Sequence, residues 1–225
     1  YHILVSTSLE KLNREEGDLW DTGDVASDQS AYISYGGDML DSRIQCYWKV
    51  RVKTNKGISA WSEPASWEMG LLHPSDWQAV WIGRAFPQGK LEGNTRVPAR
   101  YLRKPFNLNS KKVRKATLYI CGLGFYEAYI NGKKIGDQVL APTPTDYSKS
   151  VKYNRFDVTG QLLKGANAIG VILGNGRYTS MRMPGVRHFD VPKMIAQLEV
   201  YYEDGEKRVI ASDASWKITA EGPIG

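Results

Sequence analysis

Apolar and polar residues alternate along much of the chain with a period of two residues. In the segment Cys46–Val52, the side chains of Trp48, Val50 and Val52 fall on one face, and Ile195–Tyr202 alternates in the same way. A period of two is typical of β-strands with one buried face. Because no stretch of helix length shows a period of 3.6 residues, the pattern predicts an all-β fold.

The second half of the chain contains a series of further predicted strands. They are Ala116–Cys121, Phe125–Ile130, Lys133–Gly136, Ala168–Leu173, Arg208–Ala211 and Trp216–Thr219. The pair Asn131-Gly132 tolerates the positive φ angles of a type I′ turn and therefore predicts a tight hairpin. A single helical turn is predicted at Gly160–Leu163, with Asp157 or Thr159 as its cap.

Strand spacing and turn-rich segments divide the chain into two predicted β-sandwich domains. The first spans residues 1–72, residues 73–98 hold a linker with a first strand and loop, and the second domain spans 99–225. The two cysteines, Cys46 and Cys121, fall in different domains. We therefore expect free, buried thiols and no disulfide.

Charge and composition exclude two classes of partner. The 225 residues carry a net charge of +6, but the basic residues are scattered apart from Lys111–Lys115. A nucleic-acid surface needs a basic stripe, so we expect no nucleic-acid partner. No apolar run of about 18 residues occurs, so we expect no membrane span. The first residues read as a strand in progress, which we interpret as a processed chain.

Motifs for catalysis are missing from the sequence. The three histidines are far apart, and neither a zinc motif nor a nucleophile elbow occurs. The segment Gly122–Gly124 begins like a dinucleotide fingerprint, but Glu127 replaces the third glycine and a predicted strand follows. We interpret these glycines as a tight turn between strands, and we expect no complete hydrolytic site in the chain.

A long series of motifs resembles a known enzyme family. It comprises Leu118–Asp137, Leu140–Pro142, Thr145–Tyr147, Tyr153–Thr159, Gly165–Val171 and Leu173–Tyr178, preceded by Trp20–Gly23, Trp61–Glu63, Met69–Leu72 and Trp81–Gly83. Together these segments resemble the N-terminal region of bacterial family 78 α-L-rhamnosidases. The resemblance implies a fibronectin III-like or immunoglobulin-like module followed by a jelly-roll, galactose-binding-like β-sandwich.

The resemblance also implies an activity for the parent protein. Members of that family release terminal α-L-rhamnose with inversion, using carboxylates in a downstream (α/α)6 barrel. The present region would then be accessory: it would support that barrel, contact a rhamnose-containing glycan and be inactive alone. The resemblance implies no required cofactor. A polysaccharide substrate would suggest a periplasmic or extracellular location.

Some family members carry a related sandwich that binds L-rhamnose through calcium, and this suggests a candidate site. The candidate sugar-binding residues are Tyr126, Asn131, Asp146, Tyr147, Asn175, Arg177 and Tyr178, with calcium near Asp137 and Asp146. Adjacent sugar hydroxyls suit a hard cation with oxygen ligands. The competing interpretation is that each Asn and Asp is a turn or cap residue and each Tyr is packed in a core.

Three hypotheses for the function remain open at this point. The chain is an accessory region that packs against a catalytic barrel, an autonomous calcium-dependent rhamnose-binding module, or a cell-surface adhesion module without enzymatic role. The first predicts an apolar patch exposed on the isolated region. The irregular segment Thr179–Pro192 is expected to shape the mouth of that barrel.

Overall fold

The computed structural model describes residues 1–84, 98–179 and 190–222. The chain divides into two compact units, Tyr1–Asp76 and Trp77–Gly225, which we describe separately. Most of the predicted segment Thr179–Pro192 lies outside the described residues. None of the helices in the described ranges has the length and apolar character needed to cross a membrane.

The first unit is built on one antiparallel sheet. Its strands are β1 His2–Ser6, β2 Trp20–Asp21, β3 Gln45–Arg51, β4 Lys53–Thr54, β5 Gly57–Ile58 and β6 Ala65–Glu68. The sheet order is β2-β1-β3-β6, and β4 and β5 form a separate hairpin. A short helix, α1 (Leu9–Asn13), follows β1 and begins where the Ser8 hydroxyl accepts a hydrogen bond from the backbone N–H of Lys11.

The core of the first unit confirms most of the alternation predicted for β3. Cys46 is buried, and Trp48 and Val50 are partly buried in the same cluster as Ile3 and Val5. Val52 was predicted on that face, but it is 47% exposed because β3 ends at Arg51. The apolar alternation therefore continues one residue beyond the last paired residue of β3, and that residue is not buried.

The second unit is a two-layer sandwich. Its strands are β7 Ile82–Gly83, β8 Arg100–Leu108, β9 Val113–Leu123, β10 Phe125–Ile130, β11 Lys133–Lys134, β12 Asn154–Asp157, β13 Gly165–Gly174, β14 Lys193–Tyr202, β15 Lys207–Ala211 and β16 Lys217–Thr219. The front sheet has the order β11-β10-β13-β8-β16. The back sheet has the order β12-β9-β14-β15, with β7 paired to β14. A 3-10 turn spans Thr159–Gln161, and a one-turn helix, α2, spans Gly176–Thr179.

Alternate side chains of the facing strands fill the space between the two sheets. From β10 and β13 they include Ala128, Ile130, Ile169, Val171 and Leu173, and from β9 and β14 they include Leu118, Ile120, Ala196 and Leu198. Each of these side chains is at most 2% exposed. The period of two in the sequence therefore reports a real sandwich core, and the predicted all-β fold is confirmed.

Strand β14 is buried on both faces, which its alternating sequence did not predict. The polar residues Gln197 and Glu199 have no exposed surface. The segment that begins at Trp77 contacts this polar face: the backbone N–H groups of Gln78 and Ala79 donate to Oε1 of Gln197, at 2.7 and 3.3 Å. Gln197 in turn donates to Glu199, so the buried polar groups are satisfied.

The predicted hairpin at Asn131-Gly132 is confirmed. Asn131 has φ 52° and Gly132 has φ 81°, and the chain reverses between β10 and β11. The pattern failed, however, to predict β8, because Pro105 and several charged residues interrupt its apolar alternation. Pro105 lies beyond the three β8 residues that pair with β16, and at this point β8 is hydrogen-bonded to β13.

Both cysteines are free and buried, as predicted, and they lie in different units. Burial raises the pKa of the Cys121 thiol to about 12. A thiol in such surroundings stays protonated and unreactive at neutral pH.

Candidate functional site

Four of the predicted sugar-binding residues lie in one region, at the edge of the second unit where β9 and β13 end and β10 and β14 begin. We call the group Tyr147, Asn175, Arg177 and Tyr178 the tyrosine cluster. The rings of Tyr147 and Tyr178 meet edge to face, with centroids 5.2 Å apart and an interplanar angle of 84°. Both tyrosines are partly exposed, and Arg177 is exposed. The group forms an aromatic corner with a cation beside it.

Two glycines with positive φ angles allow the tight packing at this end of the sandwich. Gly124 turns the chain from β9 to β10 with φ 134°, and a Cβ on it would clash with the carbonyl oxygen of Gly174. Gly176 starts α2 with φ 53°, and a Cβ on it would lie 2.9 Å from the backbone nitrogen of Phe125. Because only glycine allows this close packing, the first turn of α2 lies directly against the β9–β10 turn. Arg177 and Tyr178 follow immediately.

Electrostatic surroundings differ between the two tyrosines. Burial raises the pKa of the Tyr147 phenol, and the nearby Arg177 charge partly opposes this effect. Burial also raises the pKa of Tyr178, and the Asp190 carboxylate adds to the rise. Both phenols are therefore neutral at physiological pH and can donate as well as accept hydrogen bonds.

Sequence reasoning missed one component of this region. Lys193, at the start of β14, forms an ion pair with Asp190, and the Thr179 hydroxyl donates to the backbone carbonyl of Asp190 at 3.0 Å. These contacts tie the start of β14 to the end of α2, next to Tyr178. The only signal in the sequence was the i, i+3 spacing of opposite charges, which is too common to identify a site.

Tyr126 lies in the core, away from solvent. It is 5% exposed, and its hydroxyl donates to Oδ1 of Asn154 at 2.8 Å. Burial raises the pKa of its phenol well above the usual range. Its ring packs between the sheets, so the structure corrects the expectation that Tyr126 forms a wall of an open site.

Asn131 lies at the opposite end of β10 from the tyrosine cluster. Its Nδ2 donates to the carbonyl of Gln161 at 3.1 Å and to Oδ1 of Asn167 at 2.9 Å. Its Oδ1 accepts the backbone N–H of Ala168 at 2.9 Å. The side chain holds the hairpin against the start of β13, which is the structural role that the competing interpretation predicted.

The two carboxylates proposed for calcium are exposed residues of separate loops. Oδ1 of Asp146 accepts hydrogen bonds from the backbone N–H and the hydroxyl of Ser148, at 3.1 and 2.6 Å, and Asp137 follows β11. Within residues 1–84, 98–179 and 190–222, no three or more His, Cys, Asp or Glu side chains are grouped to hold a metal. Calcium binding by Asp137 and Asp146 stays a prediction.

The two carboxyl groups near the tyrosine cluster lack the raised pKa that the general acid of a glycosidase needs. A hydrogen bond from Lys193 lowers the pKa of Asp190, and hydrogen bonds from Ser148 lower that of Asp146. A general acid in glycoside hydrolysis needs a raised pKa so that it carries a proton at neutral pH. Neither Asp190 nor Asp146 meets this requirement.

Comparison with known proteins gives matches along the whole chain. Residues 111–225 match the model of the α-L-rhamnosidase N-terminal domain, and residues 1–73 match that of the Rha78A-like N-terminal immunoglobulin domain. The entire chain is 40% identical to an α-L-rhamnosidase of Formosa agariphila, of which it spans 26%.

Solved structures give the same result. The chain is 43% identical to the α-L-rhamnosidase from Dictyoglumus thermophilum, with a TM-score of 0.85, over 97% of this chain and 25% of that one. It is 32% identical to the α-L-rhamnosidase from Aspergillus terreus, with a TM-score of 0.79 and the same shares. The chain thus spans about a quarter of the relatives that it matches.

Proposed function

This chain belongs to the family of α-L-rhamnosidase N-terminal domains, and from that premise we propose that the whole protein releases terminal L-rhamnose from a glycan. The observation that carries the proposal is the 40% identity, over every residue of the chain, to an α-L-rhamnosidase about four times its length. In the proposal, hydrolysis proceeds with inversion, and its catalytic carboxylates belong to an (α/α)6 barrel outside these 225 residues. The present region is accessory.

The accessory role we propose is support of the catalytic domain by the edge of the sandwich. Val139 and Leu140 are 79% and 63% exposed, and they directly precede Ala141, which pairs with Tyr126 at the start of β10. Leu140 holds a left-handed φ of 59°, which is rare for a side chain of this kind. Two adjacent exposed aliphatic side chains on an unusual backbone favour burial against another part of the protein.

We also propose that the tyrosine cluster contacts a rhamnose unit. The C5 methyl group of rhamnose can rest on the aromatic corner of Tyr147 and Tyr178, while its hydroxyls accept hydrogen bonds from Arg177. Calcium near Asp137 and Asp146 is the second part of this proposal.

Because the substrate is a polymer, we propose a periplasmic or extracellular location, which cell fractionation would test.

Hydrolysis is tested with the whole protein and with this chain alone. Purified whole protein should release rhamnose from an aryl α-L-rhamnoside, and the 225-residue chain should release none at the same molar concentration. Replacing both Val139 and Leu140 by Ser in the whole protein should lower its thermal stability. Turnover by the chain alone would overturn the proposal, as would a whole protein that acts on other glycosides and leaves rhamnosides intact.

Sugar contact is tested by calorimetry with L-rhamnose, first in calcium and then in EDTA. Binding should weaken at least tenfold in the variants Tyr178→Ala and Arg177→Gln, and it should not change in Tyr32→Ala, which removes a 96% exposed tyrosine of the first unit. Loss of binding in EDTA would support calcium, and unchanged binding would remove calcium from the proposal. No heat with the unmodified chain would refute contact at this site.

A further inference from the structure

The outer face of the front sheet carries a row of side chains that pair across all five strands. In register from β11 to β16 the row is Lys134, Tyr129, Gly170, Arg103 and Lys217. These residues occupy positions that alternate with the buried core residues, so their side chains point away from the core. The row therefore crosses a solvent-facing surface with a glycine at its centre.

Gly170 is not needed for the packing of the fold. It lies in the middle of β13 and lacks a left-handed φ angle. A Cβ on this residue would meet only the Cβ of Tyr129, at 4.0 Å, which is ordinary contact. Glycine inside a strand weakens the strand, and it often marks a place where a ligand approaches the backbone closely. The open space above Gly170 is consistent with an external group.

A groove of about 470 Å³ lies above this glycine. The residues that line it include Ala168, Gly170 and Ile172 of β13, together with Tyr101 and Tyr129. The volume is within the range of pockets that hold small ligands, and it suits one or two sugar rings.

The groove has a cationic side, and no carboxylate of the described residues pairs with it. Arg103 and Lys217 are directly paired across β8 and β16, and both are exposed. Like charges at such a position repel each other. Neither side chain forms an ion pair or hydrogen bond with another residue in the described part of the chain. The Glu127 carboxylate on this face is occupied by Lys134 and by the Tyr129 hydroxyl, each at 2.6 Å.

We propose that this face binds an anionic glycan. The ring of a sugar lies on Gly170 against Tyr129, and a carboxylate or sulfate group of the sugar is held by Arg103 and Lys217. A guanidinium group binds such anions with paired hydrogen bonds, and the anion removes the repulsion between the two cations. This site is separate from the tyrosine cluster and does not depend on the proposed hydrolysis of rhamnosides.

The experiment uses trigalacturonate as the anionic probe and its methyl ester as the neutral control. Binding to the 225-residue chain is measured by calorimetry at low and high salt. We expect Arg103→Gln and Gly170→Leu each to weaken trigalacturonate binding at least tenfold, and high salt and methyl esterification to weaken it as well. The matched variants Lys152→Gln and Gly160→Leu, which change exposed residues away from the groove, should stay within twofold.

Three outcomes would overturn the proposal. They are absence of binding, equal binding of trigalacturonate and its ester, and unchanged binding in both Arg103→Gln and Gly170→Leu. A decaglutamate peptide that competes fully, and that Gly170→Leu does not affect, would assign the face to an acidic protein segment instead. Arg103→Gln keeps the test valid if Gly170→Leu does not fold. Retained L-rhamnose binding in these variants would separate this result from the proposed function.

Discussion

Asn131 offers a quantitative test of the conclusion that part of the predicted sugar site is structural. Its side chain makes three hydrogen bonds, to Gln161, Asn167 and Ala168, and its backbone has a φ of 52°. Asn131→Ala removes all three bonds and forces a side chain with a Cβ but no hydrogen-bonding group into the left-handed region. Asn131→Gly removes the bonds but relieves the backbone.

The expected size of each effect follows from these contacts. A net hydrogen bond contributes about 1 kcal/mol, so loss of three bonds lowers the free energy of unfolding by roughly 3 kcal/mol. An alanine in the left-handed region costs roughly 1 kcal/mol more. We therefore expect Asn131→Ala to be less stable than Asn131→Gly by about 1 kcal/mol, and both to be less stable than the unmodified chain.

The measurement is urea unfolding of the 225-residue chain, followed by Trp fluorescence. Trp216, whose indole N–H donates to the carbonyl of Ala211 at 3.0 Å, lies in the second unit, and the transition that shifts in the Asn131 variants is assigned to that unit. Lys133→Ala, in the same hairpin but exposed, is the control and should change stability by less than about 0.5 kcal/mol. If Asn131→Ala is as stable as this control, or if it loses rhamnose binding while folded, the structural assignment fails.

Three further predictions concern a charged residue, a buried thiol and the glycine at the centre of the front sheet. Burial raises the pKa of Asp18, but hydrogen bonds from Lys11 and Thr7 outweigh it and lower that pKa to about 2. Its stabilisation, roughly 2 kcal/mol, is thus present above pH 4 and lost as pH falls towards 2; Asp18→Asn should flatten acid unfolding in this range. Iodoacetamide at pH 8 should leave Cys121 unmodified until urea unfolds the chain. Gly170→Ala should raise the free energy of unfolding by about 0.5–1 kcal/mol; no gain would mean that internal packing requires this glycine.

Period-two alternation was sufficient to predict strands where one face is buried and the other is exposed. It identified β10 at its observed bounds, and it gave most of β9 and β13. It failed for β8, because charged residues and Pro105 interrupt the apolar alternation there. That strand is defined by its pairing with neighbouring strands and not by its own sequence. It could not show that the polar face of β14 is covered by the segment starting at Trp77, since this depends on contacts distant in sequence.

Strand geometry explains why the predicted sugar site separated into parts. β10 has six residues and is therefore roughly 17 Å long, so residues that flank it, such as Asn131 and Gly124, lie at opposite ends. The alternation along the strand also decides which side chains can reach a ligand. Tyr126 lies on the same face of β10 as Ala128 and Ile130, and it is buried with them. Applying the alternation to individual candidates would have placed Tyr126 in the core from the sequence alone.

The row of residues across the front sheet could not be predicted from the alternation alone. Parity places Arg103, Gly170 and Lys217 on outward-facing positions of their own strands, but only the register of β8, β13 and β16 brings them together. That register depends on the pairing of strands that are distant in sequence, and a shift by one residue would turn Gly170 inward. A glycine that is unfavourable within one strand has a physical reason once its neighbours are known: it leaves space for a ligand between an aromatic ring and two cations.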